Sequence, residues 1–206
     1  MKRCVIVGGA DINNYDFIRS KINEDDFIIY CDSGLKHKSL LKRSPNLIIG
    51  DFDSYENPNL EVETIVLPCE KDDTDTVYAV KEAVSRGFDD FLFIGVVGAR
   101  LDHSLVNVYI LSMLDSLGKT GKIIDDYSEM ELVSNKPAYI DDSFSYFSLV
   151  SIFGNASGAT IQNAKYNLEN AEISYDYQYA TSNEVIKGRT AKVSVLRGKL
   201  LLIKVF

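Results

Sequence analysis

The feature that most constrains the fold is an alternation of short apolar runs with helical patterns up to about residue 125. Each run is mostly β-branched or aromatic and ends near Gly, Asp or Pro, which is typical of a parallel strand buried on both faces. The predicted strands are residues 4–7, 27–31, 47–49, 64–67, 91–94 and 122–124. Helices are predicted between them, at 76–86 and from 101 to about 118. This order predicts an α/β domain with a doubly wound, mostly parallel sheet and helices on both faces.

The pattern changes near residue 137, after which strand-like segments follow one another without an intervening helix. These segments are residues 145–153, 171–177, 190–196 and 199–206. We expect a smaller all-β domain, a sandwich or half-barrel, with the domain boundary between Lys136 and Pro137. The turn around Gly198 predicts a hairpin between the last two strands. The apolar content of the last strand fits a subunit interface and an ordinary core strand equally well.

Charge and hydropathy exclude several classes of protein. The chain has 30 acidic and 22 basic side chains, a formal net charge of −8, which argues against a surface for nucleic acid or anionic membranes. No apolar stretch reaches the roughly 18 residues of a spanning helix. The apolar run near the start predicts a buried strand and not a signal-peptide core. Three cysteines, Cys4, Cys31 and Cys69, favour thiols packed in the core and a cytoplasmic location.

Two carboxylates, Asp51 and Asp53, follow the strand predicted at 47–49. In an extended chain they project to the same side, and Gly50 lets the backbone approach a ligand closely. Open α/β sheets bind ligands at the carboxyl ends of their strands, where two carboxylates repel each other unless a cation lies between them. Oxygen ligands favour Mg²⁺ shared with substrate phosphates. A solvated, Asp-rich turn explains this motif about as well.

A second acidic cluster, Asp72, Asp73 and Asp75, stands with Lys71 just before a predicted helix. Capping of the helix N-terminus explains one or two of these residues and remains an alternative. It does not explain three aspartates with a lysine, whose charge opposes the helix dipole. We therefore expect Lys71 to meet a phosphate.

A glycine-bearing loop joins the strand at 91–94 to the next helix and ends in Arg100. Such a loop can place backbone amides on an anion, with the Arg100 guanidinium as a forked donor. His103 and Asn107 would share a helix face, although an isolated histidine is more often a structural hydrogen-bonding group. The only other histidine in the sequence is His37, and two histidines argue against a multi-histidine zinc site. The chain has no Walker A loop, Rossmann fingerprint or nucleophile elbow.

In their order along the chain, these motifs resemble those of the thiamine pyrophosphokinase family. The matching segments are Asp32-Ser33-Gly34, Gly50-Asp51-Phe52-Asp53-Ser54, Lys71-Asp72-Asp73-Thr74-Asp75 and Gly98-Ala99-Arg100-Leu101-Asp102-His103 with Asn107. Thr181-Ser182-Asn183-Glu184 and residues 198–203 resemble the family's vitamin-binding β-domain. Ser33 replaces the usual middle glycine of the first motif, and Ala99 replaces a glycine of the last. The chain has no tryptophan, so an aromatic wall against the vitamin would need Tyr or Phe.

The resemblance implies an enzyme that transfers pyrophosphate from ATP to the hydroxyethyl oxygen of thiamine, which gives thiamine diphosphate and AMP. It implies that residues 1–136 form a catalytic domain that binds ATP and Mg²⁺, and that residues 137–206 bind thiamine. It also implies a homodimer with active sites shared between subunits. Two alternatives remain open: another Mg-ATP-dependent pyrophosphokinase, with a pterin-type acceptor, and a non-catalytic sensor of a nucleotide or vitamin.

The resemblance also assigns roles to individual residues. Asp51, Asp53 and Asp75 would hold Mg²⁺. Lys71 and Arg100 would offset phosphate charge, and Asp102 would orient the substrate hydroxyl or accept its proton. Asp32 would hold the nucleotide or the thiamine end of the site. The other residues expected to bind substrates are Gly34, Asp72, His103, Asn107, Ser182 and Asn183.

Overall fold

The computed structural model describes residues 2–53 and 60–206. The chain divides into two compact units, Met1–Asp126 and Tyr127–Phe206. The division falls earlier than the predicted boundary after Lys136, because a strand at Ser128–Val133 pairs within the second unit. No helix in the described ranges has the length and hydrophobicity needed to cross a bilayer.

The first unit contains a parallel six-stranded arrangement in the order β4-β3-β2-β1-β5-β6. The strands are β1 (Arg3–Val7), β2 (Phe27–Cys31), β3 (Leu47–Gly50), β4 (Thr64–Val66), β5 (Asp90–Ile94) and β6 (Thr120–Ile124). All six strands predicted here are confirmed. The strand order reverses at β1, which pairs with β2 on one edge and β5 on the other. Open α/β sheets bind ligands beside such a reversal.

The helices of this unit differ in length and therefore in predictability. They are α1 (Tyr15–Ser20), a 3₁₀ helix (Asp32–His37), α2 (Lys38–Leu41), α3 (Asp75–Ser85) and α4 (Leu101–Ser116). The two long helices, α3 and α4, are the two that the sequence predicts. In α3, Ala79, Val80 and Ala83 are fully buried, and the helix packs on β1, β2 and β3. The sequence analysis did not predict the three short helices.

The second unit is an all-β sandwich, as predicted. Its strands are β7 (Ser128–Val133), β8 (Ala138–Ile140), β9 (Tyr146–Val150), β10 (Ala156–Gln162), β11 (Leu168–Ile173), β12 (Ala191–Ser194) and β13 (Leu200–Val205). Antiparallel pairing gives the orders β7-β13-β9 and β11-β10-β12-β8. One buried apolar cluster draws on both groups of strands, including Phe147, Leu149, Leu202, Ile161 and Val193.

Three sequence expectations require correction or a decision. The predicted hairpin is wrong, because β12 and β13 pair in different strand groups and Gly198 (φ +87°) lies between them. The core-strand alternative for the terminal strand is confirmed, since β13 has neighbours on both edges and buries Leu200 and Leu202. Cys4 and Cys31 are buried as expected, but Cys69 is exposed, so the prediction that it packs in the core is wrong.

Candidate active site

The loops that follow β1, β2, β3 and β5 line one pocket of about 610 Å³ in the first unit, together with the N-termini of α3 and α4. Eight predicted site residues line it: Asp32, Asp51, Asp53, Lys71, Asp75, Arg100, His103 and Asn107. Parallel strands end at the same sheet edge, so motifs far apart in sequence meet here. Gly34, Asp72 and Asp102 are not among its lining residues.

Three carboxylates meet at the centre of this pocket. Oxygen atoms of Asp32, Asp51 and Asp75 all lie within 4.8 Å of one another. Asp32 follows β2, Asp51 follows β3, and Asp75 is the first residue of α3. A Cβ atom at Gly50 would lie only 2.9 Å from the Cβ of Asp32. The glycine is therefore needed for the close approach of Asp32 to the end of β3.

Lys71 partly neutralises this group. Its ammonium donates a hydrogen bond to Asp51 Oδ2 and forms an ion pair with Asp75 Oδ1 at 3.1 Å. The hydrogen bond from Lys71 lowers the pKa of the Asp51 carboxyl. Burial lowers the pKa of Lys71, but its bonds to the two aspartates outweigh this and leave the pKa above its ordinary value. One cation thus faces three carboxylates.

Asp32 is a buried carboxylate with an unsatisfied oxygen atom, whereas Asp75 is half-buried and has Lys71 as its partner. Asp32 Oδ1 is buried and accepts no hydrogen bond from any described residue. Burial raises the pKa of both carboxyl groups, and neighbouring aspartates add to the effect. A hard cation coordinated by oxygen would satisfy these atoms, so the donor set fits Mg²⁺.

Asp53 lies outside this trio and is exposed. Its backbone N–H donates to Asp51 Oδ1 at 3.3 Å, and Phe52 between them has a left-handed φ of +58°. The segment is therefore not extended as the sequence analysis assumed. Asp32 occupies the central place that was predicted for Asp53, while Asp53 lines the same pocket. Ser54, the end of that motif, lies outside the described residues.

Capping accounts for part of the second acidic motif. The Thr74 side chain accepts a hydrogen bond from Val77 N at 3.3 Å and so caps α3. Asp73 forms an ion pair with Lys81 at 2.5 Å. Neither contact uses Asp75 or Lys71, so the capping alternative does not explain the two residues that reach the pocket.

Ser104 holds the loop before α4 in place. Its hydroxyl accepts a hydrogen bond from Gly98 N at 3.0 Å and donates to Arg100 O at 2.9 Å. The Asn107 amide donates to Val96 O at 2.8 Å, which makes it a support of the same loop. Ser104 was not predicted as a site residue. It could have been identified from its position in the first turn of a predicted helix, four residues after Arg100.

Arg100 and Asp102 form a two-point ion pair at the pocket edge. The two guanidinium–carboxylate distances are 3.0 and 2.6 Å, and both side chains are exposed. The hydrogen bonds from Arg100 lower the pKa of the Asp102 carboxyl. A carboxylate with a lowered pKa is a weak base, so this geometry favours Asp102 as a group that orients Arg100.

A glycine loop after β1 is a pocket wall that the sequence analysis missed. Gly8, Gly9, Ala10 and Asp11 line the pocket. A Cβ atom at Gly9 would lie 1.9 Å from Ser33 Oγ. The serine that departs from the family motif is thus accommodated because its neighbour has no side chain. Two glycines directly after a buried strand were the signal that could have identified this loop.

His37 holds this loop in position through a hydrogen bond to its backbone. Its Nε2 lies 2.9 Å from Ala10 O, which can only accept, so Nε2 carries the proton. Nδ1 then accepts from the Tyr15 hydroxyl at 2.7 Å. The ring is buried, and burial lowers the pKa of His37.

This arrangement predicts that the stabilising effect of His37 depends on pH. Because the pKa of His37 is lowered in the folded state, its stabilising effect is complete above about pH 6.5, the pKa in the unfolded state, and is lost as the pH falls from there through the lower pKa of the folded state. We expect His37→Gln to reduce the free energy of unfolding by about 1–2 kcal/mol at pH 7.5. The difference from the unsubstituted chain should shrink by pH 5.5, as measured by urea unfolding. A difference that stays constant would contradict the neutral, proton-sensitive state of His37.

Ser182 and Asn183 belong to the second unit. Asn183 is buried, and its side-chain amide binds backbone atoms of Tyr166 and Glu184 at 2.7–3.0 Å. Ser182 is exposed, has a left-handed φ of +55°, and donates its N–H to Ser148 Oγ at 3.0 Å. The structure therefore leaves the Ser182 side chain exposed and uses the Asn183 side chain to hold the turn.

Comparisons with known proteins identify both units. The family described as "Thiamin pyrophosphokinase, catalytic domain" matches residues 18–122, just over half of the chain. The family described as "Thiamin pyrophosphokinase, vitamin B1 binding domain" matches residues 135–200. The thiamine pyrophosphokinase of Bacillus subtilis (strain 168) is 26% identical over 212 residues, which cover 99% of each chain.

Solved structures give the same result for the fold. A crystal structure of the Bacillus subtilis thiamine pyrophosphokinase matches with a TM-score of 0.86 and 24% identity, over 99% of each chain. The thiamin pyrophosphokinase of Geobacillus thermodenitrificans matches with a TM-score of 0.82 and 26% identity, over 99% of this chain and 97% of that one. From the two family matches, we conclude that this chain belongs to the thiamin pyrophosphokinase family.

Proposed function

We propose that this chain is a thiamine diphosphokinase that transfers the pyrophosphoryl group of ATP to thiamine, with AMP as the second product. The observation that carries the proposal is the group of Asp32, Asp51 and Asp75 around Lys71, in a pocket at the carboxyl ends of the strands. Membership of the family supplies the acceptor, because one matching family description is a vitamin B1 binding domain. That match disfavours a pterin acceptor.

Mg²⁺ is the proposed metal ion, and ATP is the proposed donor. Asp51, Asp75 and Asp32, whose Oδ1 accepts no hydrogen bond from a described residue, would hold the ion, with Asp53 at its edge as the ligand predicted from the motif. When bound, Mg²⁺ would neutralise charge on the phosphates. The basic side chains Lys71 and Arg100 would bind the phosphates directly. Lys71 lines the pocket beside the carboxylates, where its ammonium can donate to a phosphate oxygen.

Arg100, which also lines the pocket, would bind a phosphate oxygen. Its guanidinium is exposed and is held by Asp102, which leaves further N–H groups to donate. Asp102 then acts as a positioning residue, in place of the proton acceptor suggested by the resemblance. Such a transfer requires little covalent chemistry of the protein, so positioning and charge neutralisation would supply most of the rate.

Thiamine would contact the turn at Ser182 in the second unit. The Ser182 hydroxyl forms no hydrogen bond with a described residue, and Asn183 holds the turn. Tyr166, whose backbone is bound by Asn183, has an exposed ring that could face an aromatic vitamin. We place the enzyme in the cytoplasm, since the three cysteines form no disulfide.

A homodimer with shared sites completes the proposal. The terminal strand is a core strand, so it does not supply the interface. Helix α4 offers another surface, because Leu105, Val106 and Tyr109 are between 42% and 50% exposed on a helix whose other face is buried. A helix that is apolar on both faces is expected to be covered on both.

The reaction itself is testable with the purified chain. Incubated with Mg-ATP and thiamine, it should release AMP and thiamine diphosphate in equal amounts, as measured by chromatography. ADP as the nucleotide product would indicate simple phosphoryl transfer. Turnover with a pterin but not with thiamine would indicate the alternative acceptor, and binding of both substrates without turnover would indicate a sensor.

A further inference from the structure

A second pocket in the first unit is lined by basic side chains. It has a volume of about 430 Å³ and lies beside the 3₁₀ helix and α2. Its polar lining residues are Lys36, Lys38, Ser39, Lys42, Arg43 and Ser44. Four of these six are cationic and none is acidic, although the whole chain has a formal net charge of −8. The local charge is thus opposite to that of the chain.

A sharp turn at the end of α2 brings these residues around one pocket. The helix ends after Leu41, and Lys42 takes a left-handed φ of +54°. Its N–H donates to Lys38 O at 3.0 Å, which closes the turn. The chain then runs through Arg43 and Ser44 into β3. The pocket is therefore lined by Lys36 of the 3₁₀ helix, Lys38 of α2, and Lys42 and Arg43 of the turn and its exit.

Most donors in this pocket are not used within the protein. The side chains of Lys38, Ser39, Lys42 and Ser44 have no hydrogen bond or ion pair with any described residue. Arg43 uses one guanidinium nitrogen to bind Ile22 O at 2.9 Å, which leaves others free to donate. Lys36 has a carboxylate partner, Asp11, at 2.8 Å.

We propose that this pocket binds a phosphorylated small molecule, through Lys38, Lys42 and Arg43, without a divalent cation. Three cations and two hydroxyls offer more donors and more charge than a single carboxylate would require, whereas a phosphate or diphosphate group can accept from all of them. The pocket is distinct in chemistry from the active-site pocket, whose three central carboxylates would repel a phosphate that lacks a metal ion. Lys36 lines both pockets.

The test uses the full chain, a chelator and inorganic pyrophosphate as the probe, with binding measured by calorimetry. We expect metal-free binding to the unsubstituted chain and about tenfold weaker binding to a Lys38→Gln/Lys42→Asn double variant, which loses two partly exposed charge contacts. Asparagine is chosen at position 42 because it tolerates the left-handed conformation. The matched control, Lys2→Gln/Lys187→Asn, removes the same charge from exposed positions outside both pockets.

The outcomes separate this proposal from its rivals. Weaker binding in the double variant, with binding to the matched control unchanged, supports the site. No binding without metal, or an equal loss in the control, overturns it, because net charge and not the pocket would then be responsible. If the double variant is unstable, Lys42→Asn alone should still weaken binding about threefold. The binding measurement needs neither Mg²⁺ nor thiamine. The proposed pocket can therefore be refuted while the proposed reaction is confirmed, and the reaction can be refuted while the pocket is confirmed.

Discussion

Replacing Asp75 by Asn is expected to lower the rate of AMP release by about 100- to 1000-fold at saturating Mg²⁺ and thiamine. The Asp75 carboxylate lies within 4.8 Å of those of Asp32 and Asp51, so the variant removes one of three charges that would face the metal ion. Asn keeps the size of the side chain and one oxygen. The loss would therefore report charge and coordination at this site and not a change of packing.

Asp73→Asn is the matched control, since it makes the same chemical change two residues away. Asp73 forms an ion pair with the exposed Lys81, and surface pairs of this kind contribute less than about 1 kcal/mol. We expect activity within about twofold of the unsubstituted chain. The metal-free melting temperature of Asp75→Asn should hold or rise, because burial already disfavours the ionised carboxylate. Near-normal turnover would remove Asp75 from the metal site, and a large fall in melting temperature would make it a structural residue.

The central parallel strands were predictable because each has a short apolar run that is buried on both faces, as Ile48 and Ile49 are in β3. Helix α3 has enough turns to show a periodic apolar stripe, and α4 was predictable from its length and apolar content although it is apolar on both faces. Strand β10 was not predicted. It contains Gly158 with a φ of +72° and pairs irregularly with β11, and its sequence resembles that of a loop. Helix α2 has a single turn, which is too short for any periodic signal.

The membership of the acidic trio depends on strand register, which the sequence analysis did not resolve. Cys31 pairs with Ile49 across β2 and β3, which places the next residues, Asp32 and Gly50, side by side. That pairing brings Asp32 to Asp51 and could not be predicted from a lone aspartate after a strand. The left-handed conformation of Phe52 separates Asp53 from the trio, and nothing in a Phe side chain signals such a conformation.

Subunit complementation is expected to restore activity from two inactive variants if the sites are shared between subunits. One variant is Asp75→Asn, which disables the first unit. The other is Ser182→His, which adds bulk at the thiamine contact proposed for the second unit; histidine is chosen because it tolerates the positive φ of this position better than most large residues. In a mixed dimer, the intact Asp75 of one subunit would face the intact Ser182 of the partner subunit, and that site alone should work.

Random exchange of equal amounts makes half of all dimers mixed, each with one intact site of two, so the mixture should recover about a quarter of full activity. Each variant alone is the control and should stay inactive at the same total concentration. Exchange is verified by giving the two variants different affinity tags and isolating the doubly tagged dimer, whose specific activity should be about half of that of the unsubstituted enzyme. A doubly tagged dimer without activity would show that each chain builds its site alone. Full activity of a monomeric chain in size-exclusion fractions would also show that each chain builds its site alone. No partner would then be needed to bring Ser182 to the acidic trio, and the exposed apolar face of α4 would have no catalytic role.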